Sequence, residues 1–287
     1  GKRGAPYSAT TTGVYDEARL YNRALSADDV RNLYNWAPGP VGYWNFDEGS
    51  GQNVNDTSGY NGTAGTLGTD SSVGTDDPTW VTGKYGTGLN FDGSNDFVTF
   101  GDNANYDIGS SGLTFGGWIK TTDTSGGPII KGGTAGGDGI YGYEIRVGSS
   151  STDFFLFNTA NGVHCNATTT TLVNNNVWRY VSATFIPGVS CNLYIDGVLV
   201  NSTTSLTGSV TTDTAADLLF GKRADNNLLY SGLLDEVRLY HYGRTSQQVV
   251  EDMNAGHPTG GSPVGSQVVK YNFDEQQGDT ANNSVSV

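Results

Sequence analysis

Carboxylates dominate the chemistry available to this chain. It carries 29 acidic residues against 15 basic ones, a formal charge of −14. Its only glutamates are Glu17, Glu48, Glu144, Glu236, Glu251 and Glu275. Hydrolysis of a glycosidic bond needs two carboxyl groups flanking one bond, about 5 Å apart in the retaining case. Glu144 stands alone on its predicted strand, and the adjacent Asp235 and Glu236 would point to opposite faces of theirs. His164, His241 and His257 fall in separate segments, and no Gly-x-Ser-x-Gly elbow is present, so nucleophilic catalysis has no visible constellation. Asp92-Gly93 and Asp96 read as a hairpin turn before they read as metal ligands. Cys165 and Cys191 have no zinc-type spacing. Each begins or ends a predicted strand, which leaves a disulfide across neighbouring strands and two buried thiols as the alternatives.

The elements that must position these groups are almost all strands. Leu113, Phe115, Gly117 and Ile119 alternate with Thr114, Gly116, Trp118 and Lys120. Tyr143, Ile145 and Val147 alternate with Glu144 and Arg146, and Val181, Ala183 and Phe185 with Ser182 and Thr184. Such a period of two gives each strand one core face and one face toward solvent or a further layer. Pro187-Gly188 and Asp196-Gly197 punctuate the strands as turns. Helix is expected at two short places, 26–34 and 246–254. Ser26 and its following aspartates suit a first turn, and Val249, Val250 and Met253 form the buried side of the second helix. Many short strands between turns predict an all-β, two-sheet antiparallel jelly-roll sandwich.

One sequence occurs twice, a domain's length apart. Gly1-Lys2-Arg3, Asp16-Glu17-Ala18-Arg19-Leu20-Tyr21 and Tyr43-Trp44-Asn45-Phe46-Asp47-Glu48 return as Gly221-Lys222-Arg223, Asp235-Glu236-Val237-Arg238-Leu239-Tyr240 and Tyr271-Asn272-Phe273-Asp274-Glu275. This predicts a tandem array cut at both ends: residues 1–37 as the tail of one repeat, 38–258 as a complete domain, and 259–287 as a linker and the head of the next. Short Pro/Gly linkers would keep neighbours close.

Composition narrows the partners. There are 42 glycines, yet aromatic content is 11% and charged residues only 15%, which suits a turn-rich β protein. The acidic surface offers no basic stripe for phosphates, so nucleic acid is not expected. It attracts cations and keeps the chain soluble. No run reaches the ~18 apolar residues of a membrane span.

The segments Phe46-Asp47-Glu48-Gly49-Ser50-Gly51, Asp56-Thr57-Ser58-Gly59, Leu89-Asn90-Phe91-Asp92-Gly93, Leu193-Tyr194-Ile195-Asp196-Gly197 and Leu234 to Tyr240 resemble, in order, a laminin-G-like domain of the concanavalin A-like jelly-roll superfamily. The resemblance implies two curved antiparallel sheets with first and last strands adjacent. It implies a structural Ca²⁺ where those strands meet, with Asp47, Asp56 and Asp235 as ligands; an Asx-type turn at Asp56 and pairing of Asp235 with Arg238 or Arg244 are the competing roles. The Glu-x-Asp-x-x-Glu pattern of the laminarinase-type relatives is absent. The resemblance therefore implies a non-catalytic, extracellular or cell-surface repeat module for adhesion, binding glycans or surface proteins. Two alternatives stand beside it: a structural subunit of a surface filament or stalk, built head to tail from copies of itself, and an accessory domain of a secreted carbohydrate-active enzyme.

Overall fold

The structure is a computed structural model that describes residues 18–21, 24–25, 39–60, 62–132, 142–157, 162–210, 216–225, 228–254 and 267–271. In chain order the strands are β1 Ala18–Tyr21, β2 Gly42–Trp44, β3 Asn53–Val54, β4 Gly65–Leu67, β5 Thr79–Thr82, β6 Thr87–Asp92, β7 Val98–Thr99, β8 Leu113–Thr121 and β9 Ser125–Lys131. They continue as β10 Tyr143–Gly148, β11 Thr152–Phe157, β12 Val163–Thr169, β13 Arg179–Ile186, β14 Ser190–Ile195, β15 Val198–Thr203, β16 Leu218–Phe220, β17 Ser231–Tyr240 and β18 Gln267–Tyr271. Helix α1 is Ser246–Met253.

The chain divides into two units, one of them Pro38–Ala255. That unit is a two-sheet antiparallel sandwich and the only jelly roll among the described residues. Sheet I runs β12-β11-β10-β9-β16-β7-β4-β3, and sheet II runs β15-β14-β13-β8-β17-β6-β5 with β2 paired to β17. First and last strands are therefore adjacent, as expected. In the other unit β1 pairs antiparallel with β18. The expected helix at 26–34, the second linker and most of both partial repeats lie outside the described residues.

Alternation builds the core. Phe115, Ile119, Val181, Ala183 and Leu193 from sheet II meet Tyr143, Ile145, Phe154 and Leu156 from sheet I. Trp44 of β2 is fully buried, with its ring against Phe100, Tyr106 and Phe220. Asp196 and Gly197 both take positive φ, 51° and 76°, the two-residue turn that suits strand twist and joins β14 to β15. Asp92-Gly93 is a turn too, with Asp92 Oδ1 accepting from Ser94 N at 2.7 Å. It is not a hairpin, because β6 lies in sheet II and β7 in sheet I.

The outer face of sheet II is covered rather than solvated. Trp118, Tyr180 and Tyr194 form a second apolar cluster with Val249, and Met253 packs against it. Thr245 caps α1 in a capping box with Gln248. Beneath the helix, Asp252 receives Tyr240 Oη at 2.7 Å and pairs with Arg244 Nε at 2.8 Å. Arg238 donates to the Asp252 carbonyl at 2.7 Å and to Glu236 Oε2 at 2.8 Å.

Cys165 and Cys191 are disulfide-bonded, with Cα atoms 6.4 Å apart. The bond does not join neighbours within one sheet. It links β12 of sheet I to β14 of sheet II across the core.

Candidate functional site

The three aspartates suggested for Ca²⁺ are not gathered into one shell. Asp235 sits where β17 bulges against β8, next to Glu236 at a positive φ of 53°. Its Oδ2 accepts from the backbone N–H groups of Lys84 at 2.7 Å and Tyr85 at 2.9 Å, and its Oδ1 from that of Glu236 at 2.8 Å. Asp47 reaches the same turn, accepting from Thr87 N at 3.2 Å and from Asn45 Nδ2 at 2.9 Å. Asp56 serves other segments, with Oδ1 accepting from Tyr43 N at 3.0 Å and Ser58 N at 2.8 Å. These donors use part of each carboxylate's acceptor capacity. Among the described residues no three His, Cys, Asp or Glu side chains form a group able to hold an ion. The donor set as placed does not fit a calcium shell, although Asp56 Oδ2 has no hydrogen-bond partner. Asp235 does not pair with an arginine either, because Arg238 is held by Glu236 and Arg244 by Asp252.

Burial pushes the Asp235 carboxyl up to about 7, against the pull of its backbone donors. Burial also pushes Asp96 up to about 6. An acid whose folded value lies above its unfolded value of about 3.9 favours the folded state when protonated. That contribution is complete below about pH 4 and is lost as pH climbs through about 7 for Asp235. The melting temperature is therefore expected to fall between about pH 5 and pH 8, and Asp235→Asn should flatten the decline. A thermal melt series over pH checks this, and an unchanged slope in the variant would count against it.

The outer face of sheet I carries a more distinctive arrangement. On β10, Tyr143, Ile145 and Val147 enter the core, which leaves Glu144 and Arg146 on the other side. The β10–β11 register places Phe155 opposite Glu144 and Asp153 opposite Arg146, and β12 adds Asn166 opposite Phe155. Phe155 and Phe157 stack with an interplanar angle of 12° and centroids 6.0 Å apart. The Arg146 guanidinium lies 4.3 Å from the Phe155 ring centroid and pairs with Glu144 Oε1. Glu144 is only 1% exposed, and its Oε2 has no hydrogen-bond partner among the described residues. Burial pushes its carboxyl up, while Arg146 and, more weakly, Arg223 pull it down. Arg223 itself makes a two-pronged pair with Asp225, both bonds 2.8 Å.

This combination suits recognition. An aromatic face takes the apolar side of a ring, and planar charged groups take its hydroxyls. Sequence reasoning passed over Phe155 and Phe157, because the run Phe154-Phe155-Leu156-Phe157 hides its alternation.

The two-layer β-sandwich thus has one face closed by its own helix and an opposite face that carries aromatic and charged side chains. A family profile described as the Concanavalin A-like lectin/glucanases superfamily matches residues 92–250, more than half of the chain. The chain belongs to this superfamily. Among curated proteins it is 25% identical over 138 residues to the Adhesion G-protein coupled receptor V1 of Danio rerio, covering 47% of this chain and 2% of that protein. Among solved structures it resembles the binding domain of Paraclostridial Mosquitocidal Protein 1, with a TM-score of 0.59 and 16% identity over 77% of this chain and 53% of that one. It also resembles Domain 4 of AbnA, a GH43 extracellular arabinanase from Geobacillus stearothermophilus in complex with arabinotriose. That match has a TM-score of 0.57 and 18% identity, covering 75% of this chain and 98% of that domain. At such identities the structural likeness shows the fold alone.

Proposed function

We propose that this chain is a non-catalytic binding module of an extracellular or cell-surface protein, which takes glycans on the outer face of sheet I. The observation that carries the reading is the Glu144–Arg146–Phe155 cluster, a buried carboxylate whose Oε2 has no hydrogen-bond partner among the described residues, beside a guanidinium and a half-buried ring. An adhesion receptor among the relatives, and among the fold neighbours the binding domain of a mosquitocidal protein and an arabinanase domain in complex with arabinotriose, support it. The disulfide supports an oxidising compartment. No helix among the described residues is long and apolar enough to cross a membrane. A service as accessory domain of a secreted carbohydrate-active enzyme is the second reading, favoured by the likeness to an arabinanase domain.

The test is glycan-array retention with arabino-oligosaccharides included, followed by titration of the best ligand. Phe155→Ala should weaken binding by about 3- to 10-fold, as loss of one ring contact implies. Glu144→Gln, which keeps the shape, should weaken it as well. Saturable binding that survives both changes would place the ligand elsewhere, and an array without any retention would oppose the glycan reading.

A further inference from the structure

The strand registers lay out the outer face of sheet I in two rows. Ile130, Glu144, Phe155 and Asn166 face one another in turn across β9, β10, β11 and β12. In the row beside them Arg146 faces Asp153, which faces Thr168. The period of two keeps both rows on the side away from the core.

The charges of these rows do not balance. The Arg146 guanidinium is already engaged by Glu144 Oε1 and by the Phe155 ring. Asp153 adds a second carboxylate directly opposite Arg146, with Oδ2 accepting from Ser151 Oγ at 2.7 Å. Arg223, whose charge also reaches Glu144, is held by both oxygens of Asp225. Among the described residues of this face, each guanidinium therefore has its own carboxylate, and the Asp153 carboxylate is in excess. Asn166 Oδ1 accepts from Thr168 Oγ1 at 2.7 Å, which leaves the amide Nδ2 as a neutral donor in the row.

A sugar hydroxyl both donates and accepts, so it can serve a carboxylate and an amide or guanidinium N–H alike. A ligand carboxylate or sulfate only accepts. It would be set against Glu144 and Asp153, and like charges brought together at an interface weaken binding. Rejection of one ligand class gives specificity as effectively as attraction of another.

We propose that the outer face of sheet I selects uncharged glycans over those bearing carboxylate or sulfate, with Glu144 and Asp153 as the residues that reject the anion. The inference rests on the glycan reading of this face and adds the class of sugar. The test uses the intact chain on an array of matched pairs, each an uncharged oligosaccharide and the same oligosaccharide carrying glucuronic acid or sulfate. The best-retained pair is then titrated at low and at high salt. The uncharged member should bind about 10-fold more tightly or better at low salt, and salt should narrow the gap. Glu144→Gln and Asp153→Asn each remove one carboxylate while keeping its shape, and each should shrink the gap by about 3- to 10-fold. Glu251 lies on α1, over the outer face of the other sheet. Glu251→Gln removes the same charge there and should leave the gap as it is. The inference is overturned if the acidic member binds the parent as tightly as the uncharged one, or if the gap survives both Glu144→Gln and Asp153→Asn. It is overturned too if Glu251→Gln closes the gap as far as they do, which would assign the selection to overall charge. In those three cases the glycan reading itself stands. An array that retains no member of any pair overturns both.

Discussion

Asp252→Ala is expected to cost the fold about 3–5 kcal/mol, the loss typical when one partner of a buried ion pair is removed. Asp252 is 5% exposed and Arg244 6%. The carboxylate holds Arg244 Nε on one oxygen and the Tyr240 hydroxyl on the other. Without it the buried guanidinium keeps the Tyr242 hydroxyl at 2.7 Å and the Gln248 carbonyl at 3.0 Å, but its remaining carboxylate is the more exposed and more distant Glu251, at 3.9 Å. Arg238 is hurt less, because its bonds run to the Asp252 carbonyl and to Glu236, and both survive the change. Denaturant unfolding should show the lowered midpoint. The double variant Asp252→Ala/Arg244→Leu should recover part of the loss, since it removes the stranded charge together with its partner. A single variant within about 1 kcal/mol of the parent would show that the helix is not held by this pair.

Loss of the Cys165–Cys191 bond is the second large effect. It closes a loop of 26 residues, and tying a loop of that size restricts the unfolded chain by about 3 kcal/mol. Both sulfurs lie in the core, 2% and 0% exposed by residue, so the bond is shielded from reductant in the folded state. The double variant Cys165→Ala/Cys191→Ala should melt roughly 6–12 °C lower than the parent. Because the bond spans the two sheets, the loss should appear first as faster exchange at the β12 and β14 ends. A melt unchanged in the variant would mean that packing alone fixes that edge.

The strands were legible wherever one face meets the core and the other does not. The alternation in 143–147 and the Asp196-Gly197 turn are plain in the residues, and so is the amphipathic stretch at 246–254. Three kinds of feature were not. Asp252 sits on the covered side of α1, yet a carboxylate on a helix reads as a solvent group until the arginines that meet it are placed. The roles of Asp47 and Asp235 depend on the turn at residues 83–87, which is distant in sequence and supplies backbone N–H groups that leave no trace in residue type. Finally, the meeting of Arg146, Glu144 and Phe155 rests on the β10–β11 register, which loop geometry sets. The side chains were visible, but their facing was not. The bulge at Glu236 belongs with these: a glutamate with positive φ is a property of the two strands around it.

The helix that shields Trp118, Tyr180 and Tyr194 gives the sandwich a back and a front. If glycans bind as proposed, anything attached to the exposed side of α1, such as a dye, a bulky tag or an antibody fragment, should leave their uptake undisturbed. The same object attached near Asn166 or Thr168 should compete with it. On the proposed reading, such a sandwich can be immobilised by its back and still present the Phe155 face to the surroundings.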